Sequence, residues 1–198
     1  MAGVLISIEG IDGAGKETLQ KGLLAKMRGM GRKARTLDFP DYQTPIGRMI
    51  RSFLEGETSL TPATRQLLYA ANRFERSGDI EAWLAAGDIV ISDRYIPAGL
   101  AYGLALGLDL DWMRQVERII PQPAWVLWID ISVETSRQRT GGRDRYERDI
   151  QFLEVCREAY LSLSQSESHW HRLDGERSPE EILAAAWEWF HSVGILDP

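Results

Sequence analysis

The fold is decided by residues 10–16, which read Gly10-Ile11-Asp12-Gly13-Ala14-Gly15-Lys16 and directly follow an apolar run at residues 4–8. They match the first seven positions of the pattern G-x-x-x-x-G-K-[ST], a glycine-rich turn between a strand and a helix. The glycines let backbone N–H groups surround phosphate oxygens, and the helix N-terminus adds a favourable field. We therefore expect this loop to bind a nucleoside triphosphate, with Lys16 neutralising its β- and γ-phosphates.

The eighth position of the pattern is Glu17, where a serine or threonine would normally place a hydroxyl on Mg²⁺. Thr18 is a poor substitute, because one helical step turns its side chain by about 100°. The Glu17 carboxylate could hold Mg²⁺ directly or through water, or it could point away as a favourable first-turn acid. Both roles stay open, and triphosphate binding depends on neither.

Short apolar runs alternate with longer stretches of helical period along the whole chain. Strands are predicted at residues 4–8, 34–38, 89–92, 124–130 and 170–173. Helices are predicted at residues 17–30, 46–54, 62 to about 86, in most of the segment up to about 120, and at 133–139, 147–164 and 179–193. This alternation predicts an α/β fold in which helices cover both faces of a parallel sheet and ligands gather at the carboxyl ends of the strands.

The composition limits the classes of partner. A net charge of −6 over 198 residues argues against a general nucleic-acid binder. No apolar run approaches the ~20 residues that span a membrane, and a single cysteine, Cys156, fits a reducing cytoplasm. Positive charge is concentrated in Arg137, Arg139, Arg143, Arg145 and Arg148, which suits a small phosphorylated ligand; a solvated helix face is the alternative.

Polar and aromatic residues follow the other predicted strands. Asp93 and Arg94 end the third strand, where a carboxylate could hold Mg²⁺ or orient an acceptor and a guanidinium could clamp a phosphate. A structural ion pair is the alternative for these two residues. Phe39 and Tyr42 follow the second strand. In a helix, Tyr69 would share one side with Asn72 and Arg73, an arrangement that suits a planar heterocycle.

In their order and spacing, these segments resemble the thymidylate kinase family over most of the chain. The matching segments are residues 8–16, 39–42, 68–73, 92–95 and 143–147. The resemblance implies a P-loop NTPase-type, doubly wound, five-stranded parallel sheet in a single domain, residues 1–198, with a short lid at about 139–147. It further implies ATP and dTMP as substrates, dTDP and ADP as products, Mg²⁺ as cofactor, and a homodimer.

The resemblance also assigns roles on the acceptor side. Tyr69 matches the aromatic residue that stacks on thymine, and Arg73 matches the arginine that bonds the base. Asp93 and Arg94 match the acid and the arginine at the acceptor phosphate, and Asp12 matches the acid near the sugar and the metal. Tyr102, beside the 2′ carbon, and Phe39 and Tyr42, in the pocket wall, complete this set.

On the donor side, Arg139 resembles the residue that stacks on adenine. Members of the family carry a catalytic arginine either in the phosphate loop or in the lid. Gly13 leaves no arginine in the loop, so the role falls to Arg145 or Arg143, with Tyr146 and Glu147 facing the acceptor sugar. The expected Mg²⁺ ligands are Asp12, Asp93 and Glu17.

Two departures concern the acceptor. Gly99 stands where several members have a polar side chain near the base, and Asp41 replaces a frequent arginine. The alternatives to a dTMP kinase are therefore a kinase for another nucleoside monophosphate and, because of Glu17, a nucleotide-binding protein without catalysis.

Overall fold

The computed structural model describes residues 3–141, 146 and 149–196. Its strands are β1 (Val4–Glu9), β2 (Ala34–Asp38), β3 (Ile89–Asp93), β4 (Trp125–Asp130) and β5 (Trp170–Asp174). Its helices are α1 (Lys16–Gly29), α2 (Pro45–Leu54), α3 (Pro62–Phe74), α4 (Ser77–Ala85), α5 (Ile96–Ala105), α6 (Leu110–Glu117), α7 (Val133–Thr140), α8 (Ile150–Ser166) and α9 (Pro179–Ser192). The predicted alternation of strands and helices is confirmed.

The strands form one parallel sheet in the order β2-β3-β1-β4-β5. Nearly every residue of β1, β3 and β4 is buried, as expected for strands covered on both faces. Helix α1 packs against α9, and α5 packs against α8, so the sheet is doubly wound. The chain passes to β3 on one side of β1 and to β4 on the other, which places a ligand crevice outside the carboxyl end of β1.

The predicted single helix from residue 62 to about 86 is wrong. Helix α3 ends at Phe74 and α4 begins at Ser77. At the break, the Ser77 hydroxyl donates to the Phe74 carbonyl oxygen, and the Arg76 guanidinium binds Asp41 and Asp79. A side chain that bonds nearby backbone competes with the helical ladder, which explains an interruption without proline.

No helix among residues 3–141 and 149–196 is long and apolar enough to cross a membrane. Cys156, the only cysteine of the chain, is a buried free thiol.

The last residue of β1, Glu9, is fully buried and ties the centre of the sheet to its surroundings. Its carboxylate accepts the Tyr95 backbone N–H (2.9 Å), the Tyr160 hydroxyl (3.1 Å) and the Ser7 hydroxyl. Burial raises the pKa of Glu9, although the hydrogen bonds from Ser7 and Tyr160 and the charges of Arg94 and Lys16 oppose this. The carboxyl group thus fixes the start of α5 and a residue of α8 relative to β1.

Replacing Glu9 tests this network. Glu9→Leu leaves two hydroxyls and one N–H without their acceptor, whereas Glu9→Gln keeps an oxygen for the Tyr95 N–H. We expect the free energy of unfolding to be about 2–4 kcal/mol lower in Glu9→Leu than in Glu9→Gln, measured by urea denaturation.

The matched control is Glu158→Leu on the exposed side of α8, which should leave the urea midpoint nearly unchanged. Equal unfolding midpoints for Glu9→Leu and Glu9→Gln would show that the three hydrogen bonds contribute nothing.

Candidate active site

The loop between β1 and α1 has the backbone of a phosphate cradle. Gly13 and Gly15 have φ angles of 77° and 91°, in the left-handed region that glycine adopts without strain. The side chains of Ile11 and Ala14 are buried in the core, so these two residues can contribute only backbone groups to a ligand. The ammonium group of Lys16 is buried and donates to the Ile11 carbonyl oxygen at 3.1 Å, which holds it beside the loop.

Helix α7 is bound directly to this loop. The Ser136 hydroxyl donates to the Asp12 carbonyl oxygen at 2.7 Å, and Arg139 donates to the carbonyl oxygens of Gly13 (3.1 Å) and Gly175 (3.3 Å). A Cβ atom at residue 13 would lie 3.1 Å from both the Ser136 carbonyl oxygen and the Thr140 methyl group. Close packing of α7, together with the positive φ, explains why residue 13 is a glycine.

One cleft lies on the α7 side of the loop. It is lined by residues 13–15 together with Thr18, Arg139, Arg177 and Pro179. The expected ATP-binding residues Thr18 and Arg139 therefore lie together, and Arg177 adds a second cation. We call this the donor cleft. By contrast, Glu17 is exposed, forms an ion pair with Lys21 and does not line the donor cleft.

The turn after β3 holds Arg94 in an unusual conformation, with φ at 62° in a non-glycine residue. Two hydrogen bonds stabilise it: the Arg94 N–H donates to the Ile8 carbonyl oxygen (2.9 Å), and the Ser92 hydroxyl donates to the Arg94 carbonyl oxygen (2.5 Å). The guanidinium Nη2 then reaches the Asp12 Oδ1 at 2.6 Å. The turn thus aims a cation at the phosphate loop.

Several ionisable groups meet at the carboxyl ends of β1 and β3. For Arg94, burial favours the neutral form, but Tyr102 and Asp12 prevail and raise its pKa well above the ordinary value. For Asp12, the charges of Arg94 and Lys16 overcome burial and lower the pKa. Burial raises the pKa of Asp93, and burial together with Arg94 lowers the pKa of Lys16. An arriving polyphosphate would favour the charged form of Lys16.

The acids of this cluster could hold Mg²⁺ together with a bound nucleotide, but not as a complete set of protein ligands. Among the described residues, no group of three or more His, Cys, Asp or Glu side chains is arranged to hold a metal. Mg²⁺ at such sites is commonly held by one or two carboxylates, with phosphate oxygens and water completing the octahedron. Asp12 and Asp93, both influenced by Lys16 and Arg94, are suited to that arrangement.

A second cleft opens beside Asp12. The structure brings together here all eight residues predicted for the acceptor: Asp12, Phe39, Tyr42, Tyr69, Arg73, Arg94, Tyr102 and Tyr146. We call it the acceptor cleft.

Tyr102 lies where the acceptor cleft reaches the ion cluster. Its hydroxyl donates to the Asp12 Oδ2 at 3.3 Å and accepts from the Arg94 Nη2 at 3.4 Å. Its ring packs edge-on against Tyr146, with centroids 5.6 Å apart, and Tyr146 stacks on Phe152 at 5.0 Å. The tyrosine ring is therefore held rigidly beside the two charged groups.

Arg73, which also lines the acceptor cleft, is held rigidly. Its Nε donates to the Glu117 Oε2 at 3.2 Å, its Nη2 pairs with the Glu117 Oε1, and its Nη1 donates to the Tyr95 carbonyl oxygen at 3.4 Å. The side chains of Arg73 and Glu117 are only 3% and 1% exposed. A buried, bidentate pair fixes the direction of the remaining guanidinium N–H groups.

Sequence reasoning missed three residues of this region. Gln66 and Arg65 line the acceptor cleft, and Arg65 donates to the Tyr146 hydroxyl at 3.1 Å. Their spacing from Tyr69, three and four residues earlier on the helix, was an available signal. Glu117 carried no such signal, because it meets Arg73 across 44 residues of sequence.

Asp41 and Asn72 have structural partners. The Asn72 amide accepts the Asp41 backbone N–H at 2.8 Å and donates to the Thr44 hydroxyl at 2.8 Å, and the Asp41 carboxylate binds Arg76. Asp41 therefore has its charge balanced by Arg76. The predicted lid residues Arg143, Arg145 and Glu147 lie outside the described residues.

The comparisons with known proteins agree with this geometry. The thymidylate kinase family model matches residues 8–186. Thymidylate kinase from Arabidopsis thaliana is 36% identical over 181 residues, covering 91% of this chain and 68% of that protein. A probable thymidylate kinase from Pyrobaculum aerophilum is 33% identical over 192 residues, covering 95% and 96%.

A solved structure of thymidylate kinase from Candida albicans superposes with a TM-score of 0.87 at 29% identity, covering 96% of this chain and 92% of that one. A likeness of this extent over nearly the whole of both chains shows a shared fold. The chain belongs to the thymidylate kinase family.

Proposed function

We propose that this protein transfers the γ-phosphoryl group of ATP to the 5′-phosphate of dTMP, giving dTDP and ADP. The observation that carries the proposal is the position of the phosphate loop between two clefts. Gly13 lines the donor cleft, and its neighbour Asp12 lines the acceptor cleft. Two nucleotides bound in these clefts would have their phosphates side by side at Lys16 and Arg94.

The transfer requires little covalent chemistry from the protein. An oxygen of the acceptor phosphate forms the new bond to the γ-phosphorus, while the bond from that phosphorus to the β–γ bridging oxygen breaks. The acceptor is already an anionic nucleophile, so catalysis consists of positioning and charge neutralisation. Lys16 would neutralise the β- and γ-phosphates, and Arg94 would hold the acceptor phosphate beside Asp12.

Mg²⁺ belongs to this proposal as the ion that neutralises charge on the triphosphate oxygens. Asp12 and Asp93 would hold it, because both carboxylates interact with the charges of Lys16 and Arg94. Glu17 is the weakest of the three expected ligands, since its exposed carboxylate is paired with Lys21.

The preference for thymidylate rests on the shape of the acceptor cleft. The ring of Tyr102, fixed beside Asp12 and Arg94, would crowd a ribose 2′-hydroxyl, and the Tyr69 ring offers a stacking surface. The Candida albicans enzyme is described as having broad substrate specificity. Other monophosphates are therefore the natural competitors of dTMP.

The proposal predicts a defined substrate profile. In an ADP-release assay with ATP and Mg²⁺, dTMP should give the highest kcat/KM among dTMP, dUMP, dCMP and the ribonucleotide ribothymidine 5′-monophosphate. Lys16→Ala should lower turnover by at least about 1,000-fold with an unchanged circular dichroism spectrum, because the transferring phosphates lose their cation. The control Lys33→Ala, at an exposed position, should retain activity.

Two results would contradict this profile. Near-normal turnover in Lys16→Ala would remove the loop from catalysis. ATP binding by the unmodified protein without transfer to any monophosphate would favour the non-catalytic alternative.

We assign the second catalytic cation to the lid. Arg145→Ala should lower kcat by about 1,000-fold with little change in KM, as expected for a cation that acts mainly on the transition state. The control Arg137→Ala, an exposed residue of α7 paired with Glu134 at 3.7 Å, should have no such effect. A rise in KM alone would reassign Arg145 to binding, and a loss of kcat in Arg143→Ala instead would exchange the two roles.

We further propose that the protein is a cytoplasmic homodimer. The free thiol of Cys156 suits a reducing compartment. Three large apolar side chains on the neighbouring helices α2 and α3, Met49, Leu67 and Phe74, are 53%, 49% and 53% exposed. Leu67 and Phe74 stand seven residues apart on α3 and so share one side of that helix, and a dimer contact there would cover them. Sedimentation velocity should show a dimer that Phe74→Glu converts to monomer, and a monomeric unmodified protein would refute the proposal.

A further inference from the structure

We infer that Gln66, oriented by Glu117, selects the base in the acceptor cleft together with Arg73. The inference deepens the proposed function and rests on it, since it concerns which pyrimidine edge the cleft accepts. Gln66 would be a binding residue, and Glu117 a positioning residue that does not line the cleft.

The first support is the face that α3 presents. Gln66, Tyr69 and Arg73 stand at positions i, i+3 and i+7, so they lie along one side of the helix, and all three line the acceptor cleft. A ring stacked on Tyr69 would have Gln66 one turn before it and Arg73 one turn after it. Both flanking side chains are buried, at 3% and 2% exposure.

The second support is the space at Gly99. A Cβ atom at residue 99 would lie 2.7 Å from the Arg73 Nη2, 3.2 Å from the Gln66 Nε2 and 3.4 Å from the Glu117 Oε1. The volume of a side chain at residue 99 is therefore occupied by the groups of Gln66, Arg73 and Glu117. Gln66, from α3, supplies a polar group where α5 has none.

The third support is the orientation of the Gln66 amide. Its nitrogen faces the Glu117 Oε1 at 3.4 Å, and a carboxylate paired with an arginine serves as a hydrogen-bond acceptor. The amide nitrogen must therefore point at Glu117, and the carbonyl Oε1 must point elsewhere. Within the described part of the chain, no hydrogen bond to that oxygen is present. It lies beside Gly103, which also lines the cleft: a Cβ atom at residue 103 would be 3.3 Å from it.

The cleft then offers the base one hydrogen-bond acceptor and one set of hydrogen-bond donors. Gln66 presents an oxygen, and the Arg73 guanidinium presents only N–H groups. Thymine and uracil carry an N–H at ring position 3 beside a carbonyl oxygen at position 4, which complements this pair. Cytosine carries a lone pair at position 3 and an amino group at position 4, so both contacts would be mismatched.

Glu117 prevents the cleft from adapting to cytosine. Without a carboxylate, the Gln66 amide could rotate by 180° and present its N–H groups instead. The same carboxylate holds the Nε and Nη2 of Arg73. A single buried acid thus sets the polarity of both groups.

The test is the ratio of dissociation constants for dTMP and dCMP, measured by calorimetry without ATP. Gln66→Met keeps the volume of the side chain and removes its carbonyl oxygen. Affinity for dTMP and dUMP should fall about tenfold while affinity for dCMP is unchanged or improves. The control Gln165→Met, on the exposed surface of α8, should leave every constant unchanged.

Glu117→Gln is the second variant. A general structural defect in this variant would weaken the binding of dTMP and of dCMP equally, whereas a loss of base selection would not. We expect the preference of this variant for dTMP over dCMP, measured as the ratio of their dissociation constants, to fall at least about tenfold, because the Gln66 amide is no longer held by a carboxylate. Equal weakening of dTMP and dCMP in both variants would overturn the inference. If Glu117→Gln does not fold, the ratio in Gln66→Met decides alone.

Failure of the proposed function has a different signature. An unmodified protein that binds dTMP in preference to dCMP but transfers no phosphoryl group refutes the proposed reaction, while the variants still decide base selection. An unmodified protein that binds dCMP as tightly as dTMP overturns the inference even if dTMP is phosphorylated.

Discussion

The contact between the Arg94 guanidinium and the Asp12 carboxylate, 2.6 Å long, is the interaction on which the site depends. It joins the loop after β1 to the turn after β3, two adjacent strands whose carboxyl ends face the same crevice. It also sets the charge of both groups, because each stabilises the ionised form of the other. The donor and acceptor clefts lie on either side of this pair, so its position defines how two sets of phosphates can approach.

This contact exists because the backbone around it is held firmly. Arg94 adopts a left-handed conformation that costs free energy in any residue with a Cβ. The Ser92 hydroxyl and the Ile8 carbonyl oxygen bind its backbone directly, and Glu9 binds the N–H of the next residue, Tyr95. A buried acid inside the sheet therefore supports the position of a cation at its edge. This support explains why an acid is tolerated in the core despite the penalty of burial.

The sequence predicted the architecture well because its signals are local. The glycine pattern, the apolar runs and the residues that follow each strand are contiguous, and parallel strands bring their ends to one edge. The eight acceptor residues accordingly fell in one cleft. Contacts between distant residues were not predictable: Glu117 meets Arg73 across 44 residues, and Arg76 meets Asp41 across 35. The contact between Arg76 and Asp41 lies at the break between α3 and α4, which sequence reasoning also missed.

The crowding at Gly99 has an evolutionary consequence. A side chain at position 99 would meet the ends of the Gln66, Arg73 and Glu117 side chains, so any residue larger than glycine there requires those side chains to shift. A lineage could exchange one solution for the other only through coupled substitutions on α3, α5 and α6. Residue 99 and residue 66 should therefore show strong epistasis, and the identity of one restricts which mutations of the other are neutral.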